Sequence, residues 1–86
     1  MKNKTILILG GTGALGRTLT KRYYDDNNII IFSRDEHKHV FMQRNYPNAK
    51  YQIGDVKDKD SVLQALNEYK PNVVINTAAL KHVPIC

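Results

Sequence analysis

The sequence has little cysteine: a single one, Cys86, at the last of its 86 positions. One cysteine excludes an internal disulfide framework and leads us to expect a reduced, cytoplasmic protein. No apolar run reaches the roughly 18 residues that a transmembrane helix needs. The first apolar segment, residues 5–9, is also too short for the core of a signal peptide.

Acidic residues are in the minority, with eight Asp and Glu against thirteen Lys and Arg, which gives a net charge of +5. The basic residues are scattered and do not alternate with aromatic residues. Nucleic-acid binding therefore stays open, but a phosphate-bearing small ligand explains the sign of the charge equally well. We expect a phosphate-bearing small ligand, with neither a nucleic acid nor a membrane as partner.

Short apolar runs alternate with segments of helical periodicity. The runs are rich in β-branched residues, which is typical of strands buried on both faces. Leu15, Leu19 and Tyr23 recur every fourth residue, as on one face of a helix. We predict strands at Thr5–Leu9, Ile29–Phe32, Tyr51–Ile53 and Val73–Ile75. We predict helices over about 14–25 and 36–45, and a third that Asp58 or Asp60 caps, that Pro71 stops and that buries Val62, Leu63, Leu66 and Tyr69.

The order β-α-β-α-β-α-β predicts an α/β fold with a parallel sheet and right-handed crossovers. We expect the strand order 3-2-1-4, the first half of a doubly wound Rossmann sheet. Residues 1–86 would then be the N-terminal part of a dinucleotide-binding domain whose catalytic half and substrate domain are absent. The open edge of the fourth strand would leave the isolated chain marginally stable or prone to aggregate.

A glycine-rich segment, Gly10–Gly16, joins the first strand to the first helix, with glycine at positions 10, 11, 13 and 16. Glycines at such spacing allow a tight turn, close approach to a diphosphate and close helix–strand packing. The helix N-terminus adds free N–H groups and partial positive charge. Residues Gly11–Thr18 also nearly match the phosphate loop of nucleoside triphosphatases. That loop needs lysine where Arg17 stands, and the fourth strand ends in Asn76 instead of a metal-binding aspartate.

The tip of the second strand bears on the choice of dinucleotide. Ser33, Arg34 and Lys38 suit a 2′-phosphate and favour NADP. Asp35 lies close to the spacing of an acid that binds the adenosine ribose, which would favour NAD instead. After the third strand, Asp55 can accept from the adenine amino group while Val56 packs on the ring. Small residues after the fourth strand, Thr77, Ala78 and Ala79, leave space for the ribose and diphosphate.

Four motifs occur together in this order: the glycine segment, Ser33–Glu36, Gly54–Val56 and Ala78–Pro84. The set resembles the extended short-chain dehydrogenase/reductases, in particular the polysaccharide-biosynthesis group of nucleotide-sugar 4,6-dehydratases that act on UDP-N-acetylglucosamine. The resemblance spans the whole chain, and Ala78–Pro84 is its most specific part.

The resemblance implies that NADP is held tightly and used catalytically. The hexose is oxidised at C4, water is lost across C5–C6, and hydride returns to C6, which gives a 4-keto-6-deoxy sugar nucleotide. It further implies that the diphosphate is bound by Thr12, Gly13, Ala14, Leu15, Gly16 and Arg17. The 2′-phosphate would be surrounded by Ser33, Arg34, Asp35, Glu36 and Lys38, and the adenine would be contacted by Asp55 and Val56. The cofactor would also be lined by Thr77 and Ala78, and Lys81 would contact both cofactor and substrate.

The family's catalytic Tyr-x-x-x-Lys element belongs to the half that is absent. Tyr46 and Lys50 have that spacing, but Pro47 lies between them, so they cannot share one helical face. We therefore predict no catalytic residue in this chain, and its histidines and Cys86 do not assemble a metal site. An NAD(P)-dependent nucleotide-sugar epimerase or reductase, or a non-catalytic dinucleotide-binding fragment, remains an alternative. The full-length protein is expected to be a homo-oligomer.

Overall fold

The computed structural model describes residues 2–10 and 13–77. Within them, strands and helices alternate in the predicted order, and every predicted element is present. The predicted site residues Thr12, Ala78, Ala79 and Lys81 lie outside the described residues. The elements are β1 (Thr5–Leu9), α1 (Ala14–Tyr23), β2 (Asn28–Ser33), α2 (Glu36–Asn45), β3 (Lys50–Ile53), α3 (Lys59–Tyr69) and β4 (Val73–Asn76).

The four strands form one sheet in the order β3-β2-β1-β4, and all three pairings are parallel. Both the order and the orientation confirm the prediction of an N-terminal Rossmann half. The register aligns Leu9 with Phe32 and with Asn76, so the carboxyl ends of β1, β2 and β4 lie level. Residues that follow these strands therefore meet at one edge of the sheet.

Two apolar clusters cover opposite faces of the sheet. Alternate residues of β1 and β2 divide between them, because successive side chains of a strand point to opposite faces. One cluster takes Ile6, Ile8, Ile29 and Ile31 with Met42 of α2, and Leu19 and Tyr23 of α1 pack against it. The other takes Leu7, Leu9, Ile30 and Phe32 with Ala65 of α3. The fold therefore has three layers, with α1 and α2 on one face and α3 on the other.

Two details differ from the predictions. Helix α1 ends at Tyr23, two residues before the predicted end. The Asn27 side-chain amide donates to the Tyr23 carbonyl at 3.0 Å and so gives this carbonyl at the helix end a hydrogen-bond partner. The prediction that Leu63 is buried is wrong, since it is 53% exposed. Ala65 faces the sheet instead, and Leu63 lies about 200° away from it around the helix.

Asp58, one of the two predicted caps of α3, holds that position and accepts a hydrogen bond from the Asp60 N–H at 3.1 Å. None of the three helices among the described residues has the length and apolar character of a membrane-spanning segment.

Candidate functional site: a cleft at the carboxyl edge of the sheet

A cleft of about 400 Å³ opens where β1, β2 and β3 end. Such a position, outside the carboxyl ends of parallel strands, is where open α/β sheets bind ligands. Each of the three strands contributes residues that follow it closely in the chain. The lining residues are Gly10, Gly13, Ser33, Arg34, Asp35, Lys38, Gly54, Asp55, Val56 and Lys57.

The glycine segment forms a turn at one side of this cleft. Gly10 has a φ of 78°, in the left-handed region that favours glycine, and its N–H donates to the Phe32 carbonyl at 2.7 Å. The Gly13 N–H donates back to the Gly10 carbonyl at 3.2 Å and closes the turn. This turn brings the chain directly to the start of α1 at the cleft.

Helix α1 begins with N–H groups that face no capping side chain among the described residues. Gly13 occupies the N-cap position, and the first turn contains no acidic residue. The first N–H groups of a helix have no partner within the helix and carry partial positive charge, so they favour a bound anion. The start of α1 could therefore hold an anionic group such as a phosphate.

Side chains at the end of β2 form hydrogen bonds with the backbone that follows this strand. The Ser33 hydroxyl accepts from the Asp35 N–H at 3.3 Å, and the Asp35 carboxylate accepts from the Lys38 N–H at 3.2 Å as the N-cap of α2. One carboxylate oxygen of Asp35 is thus engaged by the helix that it caps. Arg34, between these two residues, has a side chain that is 78% exposed and available at the rim of the cleft.

The tip of β3 forms the opposite wall. The Gly54 N–H donates to the Ser33 carbonyl at 3.0 Å, and one Asp55 oxygen accepts from the Lys57 N–H at 2.9 Å. The second Asp55 oxygen lies 3.7 Å from an Arg34 guanidinium nitrogen. Because both side chains are substantially exposed, this ion pair contributes little to stability. Arg34 can therefore leave Asp55 for a ligand at small cost.

The floor between β2 and β3 has no room for a side chain. A Cβ atom on Gly54 would lie 2.5 Å from Cζ of Phe32, whose ring is fully buried. Glycine at this position lets the cleft descend onto the buried ring without a clash. The requirement for glycine here arises from the contact with Phe32, which is 22 positions away in the chain.

A second cleft of about 400 Å³ adjoins the first and shares Gly13 and Lys38 with it. It lies between α1 and α2, and its other lining residues are Ala14, Arg17, His37, Phe41 and Met42. Arg17, which the resemblance assigns to the diphosphate, thus lines the second cleft rather than the first. Glu36 lies in the first turn of α2 and belongs to the described lining of neither cleft.

The structure brings eight of the predicted site residues together in one cleft. They come from three separate stretches of the chain and are Gly10, Gly13, Ser33, Arg34, Asp35, Lys38, Asp55 and Val56. Thr77 is 1% exposed and lies beneath this edge of the sheet, where its hydroxyl donates to main-chain carbonyls. Sequence reasoning missed the contributions of Gly54 and Lys57. Their direct adjacency to Asp55 and Val56 is the signal that could have indicated them.

Helix α2, which follows Asp35 and carries Lys38 in its first turn, is anchored by a buried histidine. His39 is 5% exposed and its ring packs 5.6 Å from the ring of Tyr51. Its buried Nε2 has no hydrogen-bond partner among the described residues. Burial lowers the pKa of His39 from its usual 6.5, although the carboxylates of Asp35 and Glu36 act in the opposite direction.

We expect the free energy of unfolding to decrease as the pH falls below 6.5, the unfolded-state pKa of His39. The reason is that unfolded His39 then binds a proton that folded His39 takes up only at lower pH. Tyr51 does not contribute in this range, because burial raises its pKa to about 12. Chemical unfolding at about pH 7.5 and about pH 5.5 measures the effect.

The matched control for this experiment is the neighbouring exposed histidine, His37. His39→Phe should remove most of the pH dependence between these two values, whereas His37→Phe should leave it as in the wild type. An undiminished pH dependence in His39→Phe would show that another group is responsible.

Comparisons with known proteins agree with this architecture. Residues 6–86 match the family described as "Polysaccharide biosynthesis protein". The chain is 48% identical over 87 residues to a UDP-N-acetylglucosamine 4,6-dehydratase (inverting) of Campylobacter jejuni, covering 95% of this chain and 25% of that protein. It is 40% identical over 92 residues to a UDP-glucose 4-epimerase of Rickettsia rickettsii, covering 98% of this chain and 26% of that protein.

Among solved structures, the enzyme WbmG of Bordetella bronchiseptica in complex with NAD superimposes with a TM-score of 0.75. That similarity covers 87% of this chain and 24% of that one at 22% identity, and so it supports the fold. The chain spans about a quarter of the length of the curated relatives that it matches. With a family match over nearly all of its residues, the chain belongs to the polysaccharide biosynthesis protein family.

Proposed function

We propose that this chain is the NADP-binding part of a nucleotide-sugar 4,6-dehydratase that acts on a UDP-N-acetylglucosamine-type substrate. The observation that carries the proposal is the composition of one cleft. In this cleft the glycine turn and the start of α1 lie together with Ser33 and the exposed Arg34 at the end of β2, and with Lys38 of α2. The remainder of the protein would supply the catalytic Tyr-x-x-x-Lys element and the substrate domain, and the single cysteine is consistent with a cytoplasmic location.

The residues of the cleft fit a dinucleotide by their chemistry. The N–H groups at the start of α1 would bind the diphosphate. Asp55 and Val56 would flank the adenine, one as hydrogen-bond acceptor and the other as apolar surface. When bound there, NADP would supply the hydride acceptor that oxidation of the sugar requires. The role of this chain is to bind and orient that cofactor at the edge of the sheet.

The basic side chains of the cleft support NADP over NAD. An acid that selects NAD accepts a hydrogen bond from the 2′-hydroxyl of the adenosine ribose. Asp35 lies in this cleft, but it caps α2 through the N–H of Lys38 and has Arg34 and Lys38 beside it. Arg34 and Lys38 line the same cleft and offer charge-assisted hydrogen bonds to a 2′-phosphate.

A nucleotide-sugar 4-epimerase is the second candidate, because epimerases are among the relatives at 40% identity. The dehydratase is favoured by the higher identity of 48% and by the Ala78–Pro84 motif in the sequence. Both reactions begin with oxidation at C4 and differ in the later steps, loss of water in one and return of hydride to C4 in the other. The part of the chain that binds the dinucleotide serves both.

The nature of the product distinguishes the two candidates. The full-length protein is incubated with UDP-N-acetylglucosamine, and the sugar nucleotide is analysed by mass spectrometry and by NMR, which reports the configuration at C4. We expect a product lighter by one water molecule, with no net consumption of NADP. A product of unchanged mass with inverted C4 would establish the epimerase, and the absence of conversion of any UDP-sugar would refute both candidates.

A further inference from the structure

Thr77 is a buried polar residue at the end of β4 whose hydroxyl lies on the main chain of the glycine turn. Its Oγ donates to the Leu9 carbonyl at 2.7 Å and lies 3.1 Å from the Gly10 carbonyl. The side chain is 1% exposed. The hydroxyl thus connects residue 77 to the point where β1 passes into the glycine turn, nearly 70 residues earlier in the chain.

The Gly10 carbonyl is also the acceptor that closes this turn. It accepts from the Gly13 N–H at 3.2 Å, and Gly13 is the N-cap of α1. The Thr77 hydroxyl and the Gly13 N–H therefore both contact the carbonyl oxygen of Gly10. Because the hydroxyl carries one proton, its hydrogen bond is shared between the carbonyls of Leu9 and Gly10 as a three-centre bond.

We propose that Thr77 is a positioning residue for the diphosphate site. It fixes the carbonyls of Leu9 and Gly10, and through Gly10 it fixes Gly13 and the start of α1. Its action on the cofactor is thus indirect, through the glycine turn rather than by contact. The part of the proposal that concerns the cofactor rests on the proposed function; the part that concerns the turn does not.

The chemistry of the side chain supports this role over simple space filling. Valine has nearly the same shape as threonine and would fill the same space, but it lacks the donor. Loss of the donor would leave the Leu9 carbonyl without its hydroxyl partner at a buried position, which costs free energy. The hydroxyl, rather than the volume, is therefore the group to test.

The experiment compares Thr77→Val with Thr77→Ser in the full-length protein. Two ligands are titrated: NADP, which has the diphosphate, and adenosine 2′-monophosphate, which lacks it. We expect Thr77→Val to weaken NADP binding by about three- to tenfold, as for the loss of one hydrogen bond. Binding of adenosine 2′-monophosphate should stay within about twofold, and Thr77→Ser should restore NADP binding.

Equal weakening of both ligands would overturn the proposal, because Thr77 would then support the domain as a whole. Unchanged NADP binding in Thr77→Val would overturn it as well. Where the valine variant does not fold, Thr77→Ala removes the same hydroxyl and leaves a smaller side chain, with the same expected results.

A measurement on the ligand-free protein tests the role of Thr77 in the glycine turn independently of the proposed function. Exchange of the Gly13 amide proton with solvent, followed by NMR, should become at least about threefold faster in Thr77→Val but not in Thr77→Ser. If the wild type binds neither NADP nor NAD, the proposed function is wrong, and the exchange rates alone decide whether Thr77 holds the turn. Equal exchange rates in all three proteins would refute that role.

Discussion

Arg34→Gln is expected to weaken NADP binding to the full-length protein by about ten- to a hundredfold. This is the range for losing a hydrogen bond to a charged group. The arginine lies exposed at the rim of the cleft, and its ion pair with Asp55 is long, at 3.7 Å. This weak pair does not prevent the guanidinium from binding a 2′-phosphate. NAD has no 2′-phosphate, and its affinity should change by less than about threefold. Titration calorimetry with both cofactors measures the two effects.

The matched control is Arg44→Gln, which removes the same charge from the last turn of α2. It should leave both affinities within about twofold of the wild type, because Arg44 lines neither cleft and salt screens exposed charges. Equal losses for NADP and NAD in Arg34→Gln would contradict a 2′-phosphate contact. Tighter binding of NAD than of NADP by the wild type would refute the NADP assignment altogether.

Phe32→Ala is expected to reduce the free energy of unfolding by about 3–5 kcal/mol. The Phe32 ring is fully buried in the cluster beneath α3 and supports the Gly54 backbone at the floor of the cleft. Removing it leaves a cavity on the inner side of β2 that the surrounding strands cannot fill. Chemical unfolding of the full-length protein measures the change.

Phe41→Ala removes an equally large ring from the surface of α2, where Phe41 is 58% exposed. This control should change the free energy of unfolding by no more than about 0.5 kcal/mol. Comparable losses in the two variants would mean that the cluster beneath α3 is not the stabilising core that its burial indicates. A loss under about 1 kcal/mol in Phe32→Ala would have the same meaning.

Much of the fold could be predicted from local pattern. Apolar runs such as Thr5–Leu9 define buried strands, and their alternation with helices determines a parallel sheet. The glycine spacing at the first turn and the polar residues after β2 and β3 indicated the edge where the cleft lies. These signals are local in sequence, because strand burial and turn geometry depend on residues close in the chain.

The prediction was weakest for the faces of the helices. Periodicity placed Leu63 in the core, whereas Ala65 lies there and Leu63 is exposed. On α2, the buried residues are His39 and Met42, while the more apolar Val40 and Phe41 are exposed. A helix of ten residues with apolar and polar residues on all sides can turn either face to the sheet, and the strands that it meets decide which one.

The sequence by itself determined the class of fold, the strand order and the sheet edge at which the cleft lies, since these follow from periodicity, glycine spacing and chain connectivity. Only the tertiary structure decided which distant residues act together. It places the Phe32 ring beneath Gly54, the Thr77 hydroxyl on the glycine turn, and Arg17 in one cleft with Lys38. Such contacts depend on the register between strands and on how closely helices pack on the sheet, and no local pattern in the chain encodes those distances.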